Sequence, residues 1–262
     1  MSVLEKIVED KLPRLEEKKA NPDYRSMVKN LALERKETLT FDCSVRKPCI
    51  IAEIKQASPS EGLIKRVDPI EVAKGYQTAG ACAISVLTEE NYFKGSLDFL
   101  KSIRQRVTIP LLRKDFIVDE LELWEAKAFG ADLVLLIVKI LDEVKLRDFI
   151  ETSLGLGLTP LVEVFDEWEL EKALKYYDKL VGVNNRNLET LEVDLKVSER
   201  ILPLMKSAGV HCAVAESGIS TPKDIERLSK AGADAFLIGT SLMKSENPSQ
   251  KLKELIEKSA NL

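Results

Sequence analysis

The chain repeats one unit eight times: an apolar run of strand length, a loop and an amphipathic stretch, with a glycine ahead of the next apolar run in several of the repeats. The apolar runs fall near 49–55, 81–88, 109–114, 132–138, 159–164, 180–184, 211–217 and 235–240. Helical patterns fill the gaps near 69–79, 96–106, 119–129, 142–156, 167–177, 194–207, 222–231 and 248–259, with spacings such as Leu121, Trp124, Ala128 giving one apolar face. Gly80, Gly130, Gly209 and Gly232 stand where a left-handed residue ends a helix. Asp68-Pro-Ile-Glu71, Asp166-Glu-Trp-Glu169 and Thr221-Pro-Lys-Asp224 read as helix starts, a capping side chain followed three residues on by an acid.

Strands that alternate with helices must run parallel, and eight such units close on themselves. The expectation is therefore an α/β chain folded as a (β/α)8 TIM barrel. A doubly wound open sheet fits less well, since no G-x-G-x-x-G follows the first run. At 262 residues the whole chain, 1–262, is expected to be one domain. About 1–45 stands outside the repeat as an N-terminal helical extension: Val3, Leu4, Ile7, Val8, Leu12 and Leu15 recur at helical spacing, and Asn21-Pro-Asp23 starts a second helix with Met27, Val28 and Leu31. Pro13 is expected to kink or divide the first helix. The apolar face of the extension needs a docking surface, either under the barrel or beside its mouth.

A net charge of −4 and a pI near 5.4 argue against a chain that neutralises nucleic-acid phosphates. The charged N-terminus has no secretory core and no run approaches the ~18 apolar residues of a membrane span, so no membrane partner and a cytoplasmic setting are expected. Cys43, Cys49, Cys82 and Cys212 are scattered, with His211 the single histidine, so they read as buried or incidental free thiols rather than zinc ligands. His211 opens a run and so reads as structural.

A set of charged or polar residues sits at the C-terminal ends of the apolar runs. Glu53 and Lys55 close the first, Lys114 the third, Glu163 the fifth and Asn184 the sixth. An unpaired charge costs several kcal/mol to bury, so these must serve one another or a ligand, and in a parallel barrel those ends share one pocket. With the single histidine elsewhere, acid–base work falls to Lys55, Lys114 and Glu163; two neighbouring ammonium groups would lower a lysine pKa, an effect that adjacent carboxylates limit. Ion pairing across the mouth is the purely structural alternative. Ser217-Gly218 and Gly239-Thr240 end the last two runs, where phosphate-binding barrels hold their anion, though ordinary capped turns would look the same. Phe93, Phe116, Leu135 and Leu188 could line a slot for an aromatic group, and Arg186 adds a fork for a carboxylate or hydroxyls.

Taken in order, Ile-Ala-Glu53-Ile-Lys55-Gln-Ala-Ser58-Pro-Ser60, Leu87-Thr-Glu89 with Tyr92-Phe93-Lys-Gly95, Leu112-Arg-Lys114-Asp-Phe116, Leu161-Val-Glu163-Val, Gly182-Val-Asn184-Asn-Arg186-Asn-Leu188, Ala215-Glu-Ser217-Gly218-Ile and Ile238-Gly239-Thr240-Ser-Leu-Met resemble the strand-end motifs of indole-3-glycerol phosphate synthases, over about 48–245. The resemblance implies a (β/α)8 barrel with its helical extension over the active-site face, a small sugar-phosphate substrate, a place in tryptophan biosynthesis, and no metal or organic cofactor. It implies that Lys114 is the general acid of ring closure, Glu163 its partner in proton transfer, and Lys55 with Glu53 a second acid and its orienting carboxylate. Asn184 would hold substrate, Ser217 would border the phosphate, and Ser58, Gly218, Gly239 and Thr240 would form the phosphate cradle. Gln56 departs from the family, which commonly has a basic residue there. A phosphoribosylanthranilate isomerase-like enzyme and a non-catalytic sugar-phosphate-binding barrel are the rival readings. The chain is expected to act as a monomer, with docking to another pathway enzyme left open.

Overall fold

The computed structural model describes residues 2–260. The extension comes first, as α1 (Val3–Ala20) and α2 (Pro22–Glu34). The barrel strands are β1 (Cys49–Ile54), β4 (Ala83–Leu87), β5 (Leu111–Lys114), β6 (Leu133–Ile137), β7 (Thr159–Val164), β8 (Leu180–Asn184), β9 (Cys212–Glu216) and β10 (Ala235–Ile238), with a two-stranded hairpin, β2 (Ala57–Ser58) and β3 (Gly62–Leu63), in the loop after the first. Between and after them lie α3 (Pro69–Ala79), α4 (Leu97–Arg104), α5 (Glu120–Ala128), α6 (Glu143–Gly155), α7 (Glu167–Leu174), α8 (Lys196–Ser207), α9 (Pro222–Ala231), the short α10 (Thr240–Lys244) and α11 (Pro248–Ser259). The eight long strands pair in parallel, each with the next, and β10 pairs with β1 to close the barrel. Closure leaves no sheet edge, and both faces of every strand are covered, which is why the runs are almost continuously apolar.

The local signals act as expected. Gly80, Gly130, Gly209 and Gly232 all have positive φ, and Thr221 and Asp224 form a complete capping box. Asp166 caps α7 through the Glu169 N–H, while the Glu169 carboxylate reaches back to the N–H of Phe165.

The extension does both things it could have done. Val3, Leu4 and Ile7 on α1 face Ser58, Pro59 and Leu191, which lie in loops at the C-terminal ends of the strands, so α1 lies across the mouth. The chain then descends along α5 through α2, and residues 35–48 pass beneath the barrel to enter β1. Buried Asp132, at the N-terminal edge of β6, holds this strap: it accepts from Arg35, from Arg104 (2.8 Å), from the Leu39 N–H (2.8 Å) and from the Leu111 N–H (2.9 Å).

Three expectations need correction. Pro13 does not divide α1, which runs continuously from Val3 to Ala20. Leu12 and Met27 are exposed, since only the Leu4, Ile7, Leu15 face of α1 and the Val28, Ala32 face of α2 meet the barrel. Cys43 and Cys212 are not free thiols: the strap brings Cys43 to the start of β9, and the two form a disulfide across 169 residues of sequence, leaving Cys49 and Cys82 free. Scattered cysteines were unreadable because the strap's path under the barrel is a tertiary feature without local periodicity. His211 opens β9's run on the exposed underside, as expected.

Removing the Asp132 carboxylate strands two arginines and two backbone N–H groups. Asp132→Ala is expected to cost about 3–5 kcal/mol, the usual penalty for leaving buried charge unpaired, measured as a lower urea midpoint at unchanged m-value.

Candidate active site

At the C-terminal ends of the strands lies a cavity of about 360 Å³. Period-two alternation decides what it receives. In β5, Leu112 and Lys114 point inward while Arg113 points out to the helices; by the same parity β1 delivers Glu53 and then Lys55, β7 Glu163 and β8 Asn184 to the cavity, while Glu216 of β9 lies fully buried against Lys114. Leu135 and Leu188 line the wall, Arg186 the rim, and Ser217, Gly218, Gly239 and Thr240 the turns after β9 and β10. Phe93 and Phe116 meet with ring centroids 5.9 Å apart. Both phenylalanine loops are fixed by carboxylates: Glu89 accepts the N–H groups of Asn91, Tyr92 and Phe93 (2.7–3.0 Å), and Asp115 accepts that of Phe116 (2.8 Å). Lys11 of α1 ties the lid to the same loop, bonding Asp115 at 2.8 Å and the Phe116 carbonyl at 2.6 Å.

Of the residues expected at the site, Ser58 alone lies outside this cavity. It lines an adjoining one beneath α1, which shares Lys55, Phe93, Phe116, Arg186 and Leu188 with the first, and its hydroxyl faces that of Ser60 at 3.3 Å. The two cavities meet at those five residues. Ser58 is held in the hairpin β2–β3, paired with Gly62.

The charged centre is compact. The Lys114 ammonium lies 3.1 Å from Glu216 Oε2, 3.6 Å from Glu163 Oε2 and 3.9 Å from Glu53 Oε2, while Lys55 pairs with Glu53 Oε1 at 2.9 Å. Asn184 donates to Glu163 Oε1 (3.1 Å), and Ser85 to Glu53 Oε2 (3.3 Å). Two ammonium groups thus face three carboxylates. Burial would depress the Lys114 pKa, but Glu216, Glu163 and Glu53 outweigh it and hold it above the ordinary lysine value. The expected lysine-on-lysine depression is thereby overturned for Lys114, because its nearest charges are acids. Burial pushes Glu53 up, yet Lys55 and Lys114 bring it below the usual range. Glu216 goes the other way: burial, with Glu163 beside it, outweighs Lys114 and pushes it up to about 8. A proton on Glu216 makes the set electrically neutral.

Glu216 was missed by sequence reasoning, though its signal is the same as for the others, an acid closing the apolar run Cys212-Ala-Val-Ala-Glu216. Two glycines make room for the carboxylates. A Cβ at Gly182 would run into the Glu216 carboxylate, and one at Gly239 into that of Glu53. A glycine inside an apolar strand was the available clue to Gly182.

A parallel barrel whose strand ends bring lysines and glutamates into one largely enclosed cavity, with glycine and hydroxyl turns after its last two strands, defines a (β/α)8-barrel enzyme of the acid–base kind. The family model described as indole-3-glycerol phosphate synthase matches residues 4–255. Curated relatives of that name include one from Aquifex aeolicus, 50% identical over 241 residues (90% of this chain, 93% of the relative), and one from Carboxydothermus hydrogenoformans, 42% identical over 262 residues (97% and 99%). The chain belongs to the indole-3-glycerol phosphate synthase family. Among solved structures, a 3-hexulose-6-phosphate synthase superposes with a TM-score of 0.63 at 17% identity (80% of this chain, 99% of that one), a likeness of fold.

Glu216 carries a sign that can be measured. Its pKa in the folded protein lies above the ordinary carboxyl value of 4.5, so the folded state holds a proton that the unfolded state gives up, and this group's contribution to stability falls as pH rises from about 4.5 to about 8. Glu216→Gln is expected to gain stability relative to the parent across that window, in paired urea unfolding curves at its two ends.

Proposed function

We propose that the protein catalyses the reaction of its family: ring closure of 1-(2-carboxyphenylamino)-1-deoxyribulose 5-phosphate to indole-3-glycerol phosphate, with loss of carbon dioxide and water, in tryptophan biosynthesis. The observation that carries this reading is the Lys114 ammonium, held charged by three carboxylates inside a cavity where hydrogen-bond donors and an apolar slot face each other. Phe116 follows the third strand of the barrel and Ser217 the seventh, which stand opposite each other in the closed ring. The anthranilate ring lodges between Phe93, Phe116, Leu135 and Leu188. The phosphate sits on the turns Ser217-Gly218 and Gly239-Thr240, where backbone N–H groups and hydroxyls can donate. Ser58 acts from the adjoining cavity, on the loop that covers the substrate.

Lys114 donates to the ketone oxygen as the ring carbon that bears the carboxylate attacks the carbonyl carbon; a preorganised cation there stabilises the charge that develops only in the transition state. Carbon dioxide then leaves, and its electron pair restores the benzene ring. In the last step the new hydroxyl departs as water, protonated by Lys55, which Glu53 orients, while Glu163 accepts the proton from the carbon next to nitrogen. Asn184 holds Glu163 and substrate in register, and Arg186 engages the carboxylate before it leaves. Glu216 holds Lys114 in place. The chain works as one domain: its hydrophobic core runs without a break from Leu4 on α1 to Ile256 on α11. We further propose a cytoplasmic monomer; among the described residues no helix is long and apolar enough to cross a membrane.

The direct test is to supply the carboxyphenylamino substrate and follow indole fluorescence; an inactive protein overturns the reading. Lys114→Met keeps the aliphatic stem and removes the ammonium, so kcat should nearly vanish with a much smaller change in substrate binding. Single-turnover ring closure at the native rate would reassign that role. Glu163→Gln keeps the bond from Asn184 and is expected to lower kcat by ~10²–10⁴.

A further inference from the structure

Beside Glu163, a small cavity of about 10 Å³ lies among the ends of β6, β7 and β8 and shares Ile137, Glu163, Asn184, Arg186 and Leu188 with the large one. It is room for about one water molecule. Its walls include Glu163 and Asn184 on the inner side, Glu169 of α7 on the outer side, and exposed Lys139 at its rim. Glu169 is 4% exposed and Glu163 3%. On the inner carboxylate, Glu163 Oε1 accepts from Asn184 at 3.1 Å, and Oε2, buried and without a hydrogen bond, lies 3.6 Å from Lys114, so this carboxylate joins the small cavity it lines to the catalytic lysine. On the outer carboxylate, Glu169 Oε2 accepts the Phe165 N–H at 2.8 Å, a helix-capping bond that a glutamine would make equally well. Capping therefore does not account for an ionisable group at this position.

The reaction proposed above supplies a need for one. The ketone oxygen leaves as water and so gains two protons, while the carbon next to nitrogen gives up one. The difference replaces the negative charge that the substrate carboxylate loses when it departs as neutral carbon dioxide. One proton must thus enter from solvent in every turnover, and Glu163 must return to its starting state while α1 and the substrate cover the mouth. We propose that Glu169 and a water in the small cavity form a proton relay between solvent and Glu163, entering through the flank of the barrel rather than through its mouth. The relay rests on the reading of function given above. Glu169 is not itself catalytic, since it acts through Glu163.

The surroundings of Glu169 suit a group that exchanges protons near neutrality. Burial pushes its carboxyl up to about 7 against the Phe165 N–H; Asp166 and Glu163 push the same way, and Lys139 opposes. From the other elements lining the cavity, Arg186 follows β8, and Lys139, at the rim, pairs with Glu189 at 3.0 Å. The protons balance: Lys114 and Lys55 each give one up, and Glu163 hands the proton it took from carbon to Lys114. A second follows the same path as Glu169 passes one to the water, the water passes one to Glu163 and bulk water past Lys139 reloads Glu169, with Glu53 between the two lysines to return one to Lys55.

The test is the pH profile of kcat for the full-length enzyme and for Glu169→Gln, with KM and thermal unfolding measured alongside. Glutamine keeps the cap and removes the proton, so kcat is expected to fall about tenfold, less than for a group that meets substrate itself, with KM and Tm unchanged. The loss of wild-type kcat as pH rises through about 7, where Glu169 gives up its proton, is expected to disappear from the variant. An unchanged kcat and profile overturns the relay, as does a fall in kcat that accompanies a lowered Tm while the profile keeps its shape. Glu169→Asp, which keeps a titrating carboxyl, should restore a pH-dependent limb; failure to do so also counts against it. A wild-type protein that forms no indole product would overturn the reading of function and the relay with it, whereas an active wild type with an indifferent Glu169→Gln variant overturns the relay alone.

Discussion

The structure turns on a balance of charge at the top of the barrel. Lys55, Lys114, Glu53, Glu163 and Glu216 occupy a space where any one of them alone would be too costly to bury, and together they nearly cancel. Five charges of which three are negative leave a surplus of one, and the molecule disposes of it by letting Glu216 keep its proton. Everything nearby accommodates this arrangement. Gly182 and Gly239 give up their side chains to the carboxylates, and Asn184 and Ser85 donate further hydrogen bonds to Glu163 and Glu53.

A second buried charge cluster lies on the outside of β5 and does different work. Arg113, 2% exposed, meets Asp115 at 3.1 Å and Glu125 at 3.2 Å; Lys11 from α1 reaches the same Asp115, and Lys18 reaches Glu125 at 2.9 Å. Because Asp115 also holds the Phe116 N–H, the lid helix, the aromatic slot and the strand that carries Lys114 share one hydrogen-bonded assembly. At the other end of the barrel the strap closes the floor through Asp132 and the Cys43–Cys212 bond. The extension is thus a single segment that covers the molecule twice.

How much of this could be read in the sequence follows from how local each signal is. The eight strands and eight helices announced themselves by periodicity and by capping residues at their ends, and the structure moves their limits by at most three residues. Lys114 and Glu163 were legible because a charge that closes an apolar run is anomalous in itself. Glu216 carried the same mark and was passed over in favour of the Ser-Gly pair that follows it. Ser58 was assigned to the phosphate cradle through the family resemblance alone, and the hairpin β2–β3 that sets it beside the main cavity has no mark in the sequence. The disulfide and the floor strap depend on approaches between residues 21 to 169 positions apart, and Lys11 and Lys18 reach the Arg113 cluster across 104 and 107 positions, separations that no window of sequence contains.

Arg113 and Lys114 share a peptide bond and belong to separate worlds, one wired to the helices and the lid, the other to the reacting atoms. Side chains on a strand alternate faces, so the loss or gain of a single residue within Leu111–Lys114 would exchange the two: a rigid, permanently charged fork would enter the cavity, and a flexible ammonium would be left to hold the lid. Substitutions in this strand can be tested by a lineage one at a time, whereas a change in its length would strike catalysis and architecture together. Variation in length among descendants of this chain is therefore confined to the connections, and the four residues of β5 behave in inheritance as one indivisible character.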